Sequence, residues 1–203
     1  TAGWSTGFYS SPHLVSVRER IRIDGRSIGE ADFAAVVDHL RELTTHLPPR
    51  ADCASPTYFE FLTIAAFTAF RRAQVQMAIL EVGMGGRLDA TNIVTPAVSV
   101  ITHIDLDHTS SLGTTHAAIA AEKAGIIKPG VPVICGVRNL AAATVIQRIA
   151  AERGAPLWQI GGFTFGRFGD PDGRVTRENP TLLAWLTNNY WSTNFQADQG
   201  AEV

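Results

Sequence analysis

Cysteine and lysine are nearly absent from this chain. The two cysteines, Cys53 and Cys135, lie far apart and form no metal or redox spacing. A reducing, cytoplasmic setting is therefore the default expectation. No apolar run reaches the length needed to cross a bilayer, and no amino-terminal stretch reads as a secretion signal. The net charge of −2 gives no general pull toward nucleic acid or anionic membrane. Any anion must be held locally. No G-x-x-x-x-G-K-[ST] phosphate loop occurs, which at face value argues against an ATP enzyme unless that loop lies upstream. Only two lysines, Lys123 and Lys128, stand against 15 arginines. Both fall within Glu122–Gly130, where a lysine in an apolar turn points to a role. For Lys128, beside Pro129-Gly130, a surface position remains open.

What is present is an ordinary globular composition. With 203 residues, 45% hydrophobic and 18% charged, the chain suits one domain with a full core, or one domain with an incomplete appendage. It begins at Thr1, inside what reads as a helix end, so a piece of a longer protein is expected. Gly7 to Ser11 reads as a strand running into Ser11-Pro12-His13. Arg18 to Ile23 followed by Asp24-Gly25 reads as a small hairpin. Phe33, Val36, Val37, Leu40 and Leu43 predict an amphipathic helix from about Gly29 to His46, stopped by Pro48-Pro49. Tyr58 to Phe70 is apolar nearly all round and predicts a helix packed on a sheet, capped by Ser55 or Thr57.

Strands Gln76–Val82, Val98–Ile104, Val131–Cys135 and Leu157–Ile160 alternate with helices Thr115–Ile127 and Ala141–Glu152. That alternation predicts an α/β fold with a mostly parallel sheet flanked by helices. Gly162–Phe168 and Gly173–Thr176 read as an antiparallel edge ribbon. From Asn179 the pattern decays into a polar tail, with at most a helical turn at Leu182–Trp185.

Two apolar strands end in chemistry. Met77–Leu80 leads into Glu81 and a glycine-rich loop, and Val98–Ile104 leads into Asp105-Leu106-Asp107-His108. Taken as neighbours, these strands deliver an acid and an imidazole at the sheet edge where open α/β folds bind ligands. Together they suit magnesium or manganese. Alone, Glu81 serves equally as a cap or a partner of Arg87, and His108 as the close of a turn. His116, Ile119 and Lys123 share a helical face. A buried neutral lysine can add carbon dioxide to give a carbamate ligand, although an ordinary Glu122/Lys123 surface pair is the commoner arrangement. Asp89 and Asn92 can bond a heterocycle or equally stabilise their own loop. Ser11 offers a hydroxyl at a strand end, where a plain turn also suffices. Glu60, in a greasy helix, is expected to be buried and paired.

In order and spacing, these segments resemble the bifunctional dihydrofolate synthase/folylpolyglutamate synthase family of the Mur ligase superfamily. The matching stretches are Gly7-Phe8-Tyr9-Ser10-Ser11-Pro12-His13-Leu14, Arg20 through Gly25, Thr57-Tyr58-Phe59-Glu60, Glu81 through Asn92, Asp107-His108-Thr109 with Leu112-Gly113, and Glu122 through Gly130. The resemblance covers roughly Thr1 to Phe168.

The resemblance implies a Mur-ligase-type P-loop ATP-binding domain over residues 1–178, truncated at both ends. The phosphate loop would lie upstream, residues 179–203 form a divergent tail, and the glutamate-binding carboxy-terminal domain is absent. It implies Ser11, Glu81 and His108 as magnesium ligands, with manganese an alternative. It implies a carbamylated Lys123 that positions the metal, and it places Asp89, Arg87 and Asn92 toward the pterin. The implied reaction is ATP-dependent addition of L-glutamate to dihydropteroate or a folate, through an acyl phosphate. A cytoplasmic monomer is implied for the complete protein, with no nucleic-acid or membrane partner and with the fragment itself inactive. Another Mur-type amino-acid ligase, of the peptidoglycan or cyanophycin branch, and a non-catalytic truncated remnant are the alternatives. Ser11-Pro12-His13-Leu14 and Arg87 through Asn92 favour the folate branch.

Overall fold

A computed structural model describes residues 3–45, 55–161 and 164–167; for Gly161 and for residues 164–167 it describes the backbone alone. The expected ribbon half at 173–176, the turn at 182–185 and the tail from 179 lie outside the described residues, as do Pro48, Pro49 and Cys53. The chain divides into two compact units, Thr1–Ile93 and Val94–Val203.

The first unit is built on β1 (Thr6–Tyr9), flanked by antiparallel β2 (Ile21–Ile23) and parallel β4 (Met77–Leu80), with the short β3 (Arg26–Ser27) outermost. Tyr9 pairs with Ile21 on one side and with Leu80 on the other. Helices α1 (Glu30–Thr45) and α2 (Tyr58–Arg72) complete it. Alternation along β1 turns Gly7 and Tyr9 inward. A Cβ on Gly7 would lie 2.6 Å from the Phe70 ring, so glycine is what lets α2 lie close against the strand. Leu62, Ala65, Ala66, Ala69 and Phe70 of α2 join Tyr9, Ile21, Val36 and Leu40 in one core. Thr63 donates to the Phe59 carbonyl at 2.8 Å. The same hydroxyl also reaches the Tyr9 hydroxyl, at 3.2 Å. Burial first, offset in part by Thr63, raises the Tyr9 phenol above its ordinary range.

Thr57 caps α2, as expected. Its partner Glu60 corrects the expectation of burial. Glu60 is exposed, and its carboxylate accepts the Thr57 backbone N–H and hydroxyl, both at 2.7 Å. The Thr57-x-x-Glu60 spacing forms a capping box, which places the acid in the first turn, beyond the face that packs on the sheet.

The second unit is a parallel run of β5 (Ser99–Ile101), β6 (Val133–Cys135) and β7 (Leu157–Gly161), closed by antiparallel β8 (Thr164–Arg167). Thus the 164–167 segment is antiparallel, as expected of an edge, and among the described residues it pairs with β7. Between β5 and β6 come α3 (Thr109–Leu112), α4 (His116–Lys123) and a single 3-10 turn at Ala124–Ile126; α5 (Leu140–Glu152) links β6 to β7. Ile101, Ile119, Ile127, Val133, Val137, Ile146 and Leu157 form its core. The expected helix from Thr115 to Ile127 is shorter, ending at Lys123 and tightening into the 3-10 turn before Pro129-Gly130.

Both units are mixed α/β with helices beside the sheets. β4 ends the strand order of the first unit's sheet and β5 begins that of the second unit's sheet, among the described residues. Met77 and Ile79 of β4 and Val100 of β5 are roughly half exposed.

Candidate functional site

In the first unit, residues at the carboxyl ends of β1 and β4 meet. The ladder continues one residue past β4, where the Glu81 N–H donates to the Tyr9 carbonyl at 2.9 Å. The Ser10 N–H is taken by the Arg20 carbonyl at 3.0 Å. The next amide, Ser11, donates to Glu81 Oε2 at 3.0 Å. Two residues predicted as metal ligands, 70 positions apart, are thus joined. The Ser11-Pro12 peptide is cis. A carboxylate carries about four acceptor positions on two oxygens, so Glu81 keeps capacity for a cation beside this bond. A hydroxyl and a carboxylate are hard oxygen donors and fit magnesium or manganese.

The loop after Ser11 is tied down by Glu19. Its carboxylate accepts the N–H groups of Leu14 at 2.9 Å, Val15 at 3.0 Å and Ser16 at 2.7 Å. Those backbone donors hold the Glu19 carboxyl below its ordinary value, chiefly Leu14 and Ser16. His13 Nδ1 accepts from Arg20 Nε at 2.9 Å, and the Arg20 guanidinium lies 5.7 Å from the Tyr58 ring centroid. His13 belongs to the Ser11-Pro12-His13-Leu14 stretch that carries the resemblance, but the sequence gives it no partner. The signal lies in the loop, which brings His13 back over Arg20.

Beyond Glu81 the glycine-rich loop closes on Asp89. Asp89 Oδ2 accepts from the backbone of Gly83 and Met84, each at 3.0 Å; Oδ1 accepts from the Thr91 N–H at 2.9 Å and its hydroxyl at 2.6 Å. Asn92 Nδ2 donates to the Arg87 carbonyl at 3.0 Å. Of the two roles left open for Asp89 and Asn92, these bonds belong to stabilising their own loop. Gly83 has a specific reason to lack a side chain, since a Cβ there would meet the Phe59 ring at 2.4 Å. Arg87 and Leu88 sit exposed at the loop tip.

In the second unit, His108 begins α3 with a left-handed φ of 51°. Its N–H donates to Asp107 Oδ1 at 2.7 Å, and its exposed ring lies 3.6 Å from Asp107 Oδ2. Asp105 stands 3.8 Å from His103 Nε2 and 3.7 Å from His116 Nε2. The Leu106 N–H is the main cause that lowers the Asp105 carboxyl, with the two imidazoles adding to it. Lys123 is the half-buried last residue of α4, on the expected face with His116 and Ile119. Among the described residues, no three His, Cys, Asp or Glu side chains gather into a metal cage. Also among them, no helix is long and apolar enough to cross a membrane.

Residues 42–162 match the Mur ligase middle domain. The dihydrofolate synthase/folylpolyglutamate synthase of Escherichia coli K12 is 43% identical over 160 residues, covering 79% of this chain and 36% of that protein. A folylpolyglutamate synthase of Lacticaseibacillus casei is 43% identical over 152 residues, covering 73% and 35%. Among solved structures, E. coli FolC in complex with DHPP and ADP superposes with a TM-score of 0.70 at 38% identity, covering 91% of this chain and 46% of that one. The chain spans about a third of the length of these curated relatives.

Proposed function

Since the chain belongs to the Mur ligase family, we propose that it is part of an ATP-dependent ligase that joins L-glutamate to dihydropteroate or to a folate. The observation that carries this reading is the 43% identity with the E. coli dihydrofolate synthase/folylpolyglutamate synthase across most of the chain. The DHPP and ADP held by the E. coli neighbour support a pterin-bearing substrate and a nucleotide.

In this reaction the substrate carboxylate attacks the γ-phosphorus of ATP and ADP leaves. The glutamate amine then attacks the acyl carbon, loses a proton, and inorganic phosphate departs as the amide forms. We assign Ser11, Glu81 and His108 to metal binding, which rests on the resemblance and on their donor chemistry. A divalent cation held by these groups would neutralise charge on the transferring phosphoryl group. The Ser11 N–H fixes one oxygen of Glu81 and so fixes its orientation. Lys123, as a carbamate formed by gaining carbon dioxide and losing a proton, positions the metal and is not a base. Arg87, Asp89 and Asn92 lie on the loop assigned to the pterin side. The phosphate loop and the glutamate-binding domain are assigned to parts of the protein outside these 203 residues, and the whole to a cytoplasmic monomer.

The test compares the complete reading frame with this chain alone. The complete protein should release ADP only when magnesium, L-glutamate and dihydropteroate or a folate are all present, and the product should gain one glutamyl unit by mass. Glutamate-independent ADP release, or activity on a nucleotide-sugar acceptor instead, would overturn the reading.

A further inference from the structure

Lys123 is the last residue of α4, and the 3-10 turn Ala124–Ile126 follows it directly. A helix end leaves carbonyls without a helical partner. Here the Ala124 carbonyl accepts from the Ile127 N–H at 3.1 Å. The next three carbonyls are met by two side chains from elsewhere in the unit. Ser99 Oγ, at the start of β5, donates to the Ile126 carbonyl at 3.1 Å. Arg153, just past the end of α5, donates through Nη1 to the Gly125 carbonyl at 3.4 Å and to that of Ile127. Nη1 carries two N–H groups, so one nitrogen can serve both. The Arg153 backbone holds the same segment, its carbonyl accepting the Gly130 N–H at 3.0 Å. Gly125 and Ile127 are buried, and Ser99 is 3% exposed. A buried carbonyl stripped of its donor is costly, so these bonds hold the turn in one conformation. The guanidinium also stands at the carbonyl end of α4, where a cation is favoured.

We infer from this that Ser99 and Arg153 are positioning residues for Lys123: they fix the turn that follows it, and so fix the point from which its side chain leaves α4. The inference rests on the ligase reading above for what Lys123 does. A lysine reaches its target on a long flexible stem. Such a stem is aimed only if the backbone that carries it is rigid. Neither Ser99 nor Arg153 stands near Lys123 in the sequence. A serine opening an apolar strand and an arginine ending an amphipathic helix give no sign there of a shared task.

Ser99→Ala removes one hydroxyl donor, and Arg153→Met removes the guanidinium while keeping an unbranched stem. In the complete protein, each should lower kcat about tenfold by misplacing Lys123, with the KM values for ATP and for the folate substrate within about twofold of wild type. In a Lys123→Ala background, assayed with acetate, the same substitutions should lower kcat no further, because the group they position is gone. A merely structural role would carry the same fall into that background. With isotope-labelled bicarbonate, the NMR signal of the Lys123 carbamate carbon should weaken in both variants. An unchanged kcat or an undiminished carbamate signal in Ser99→Ala overturns the inference, as does an equal fall in kcat without Lys123. Should Arg153→Met fail to fold, Ser99→Ala decides alone. A wild-type protein without glutamate-dependent ADP release overturns the ligase reading, and the task assigned to Lys123 falls with it. Amide exchange at Ile127, expected to quicken in both variants, then still decides whether Ser99 and Arg153 hold the turn.

Discussion

The Ser11 backbone N–H and the Glu81 carboxylate meet at 3.0 Å where strands β1 and β4 end. Because β1 and β4 pair in parallel, with Tyr9 opposite Leu80, their carboxyl ends stop at the same level. The bond therefore follows from register, and Glu81 is oriented before any ligand arrives.

Replacing Glu81 by Gln separates charge from shape. The amide oxygen can still accept from Ser11, so the fold should hold. The cation loses a charged ligand. In the complete protein, kcat should fall about a hundredfold or more, with the melting temperature within a few degrees of wild type and a higher magnesium requirement. Wild-type turnover at low magnesium would remove Glu81 from the metal.

Lys123 ends α4 half-buried among buried neighbours, Ile119, Ala120 and Ala124. Lys123→Ala should cut turnover by a similar factor if the carbamate positions the metal. Short carboxylates such as acetate or formate should restore part of it by supplying the lost oxygen ligand. Unaltered turnover, or a loss that no carboxylate relieves at any concentration, counts against the carbamate.

Strand ends are legible in the sequence because an apolar run that stops at an acid and then glycines marks where buried sheet gives way to open loop. Glu81 directly follows β4 as such a run places it, whereas β5 ends at Ile101, seven residues before His108, and Thr57, one of the two caps the sequence offers, caps α2. Strand order is not legible. Local pattern gives the length and type of β4 and β5 but says nothing of which edges pair. The exposure of Glu60 is missed because the apolar surface of α2 outweighs the Thr57-x-x-Glu60 spacing, which alone gives its position. The left-handed His108 and the one-turn α3 leave no periodicity to find. The bond from the Gly83 amide to Asp89 needs the loop already closed, since Gly83 lies six positions from it.

Glu19 ties stability to pH. Its folded carboxyl lies below its ordinary value of 4.5 because the Leu14, Ser16 and Val15 amides favour the charged form. A depressed acid adds stability above its unfolded value, and that stability fades as pH falls through the lower folded value. Glu19→Gln should therefore lower the melting temperature most near neutrality. The gap from wild type should narrow below about pH 4.5 and close as both become uncharged. A gap constant from pH 7 to pH 3 would assign the effect to packing instead of charge.

The contact between Gly83 and Phe59 permits a test in which two defects cancel. A Cβ on Gly83 would sit 2.4 to 3.0 Å from three atoms of the ring, closer than packed carbons tolerate. No left-handed backbone is involved, so the penalty of Gly83→Ala is steric and should be about 1–3 kcal/mol. Phe59 also packs on Tyr9, their ring centroids 5.9 Å apart, so the ring cannot simply swing away. Phe59→Leu removes the ring and opens space at that point. The double variant should be more stable than the sum of the single losses predicts, by about 1 kcal/mol, as expected of residues in direct contact. Denaturant melts of the four proteins in the cycle measure this. Strict additivity would show that the loop does not rest on the Phe59 ring.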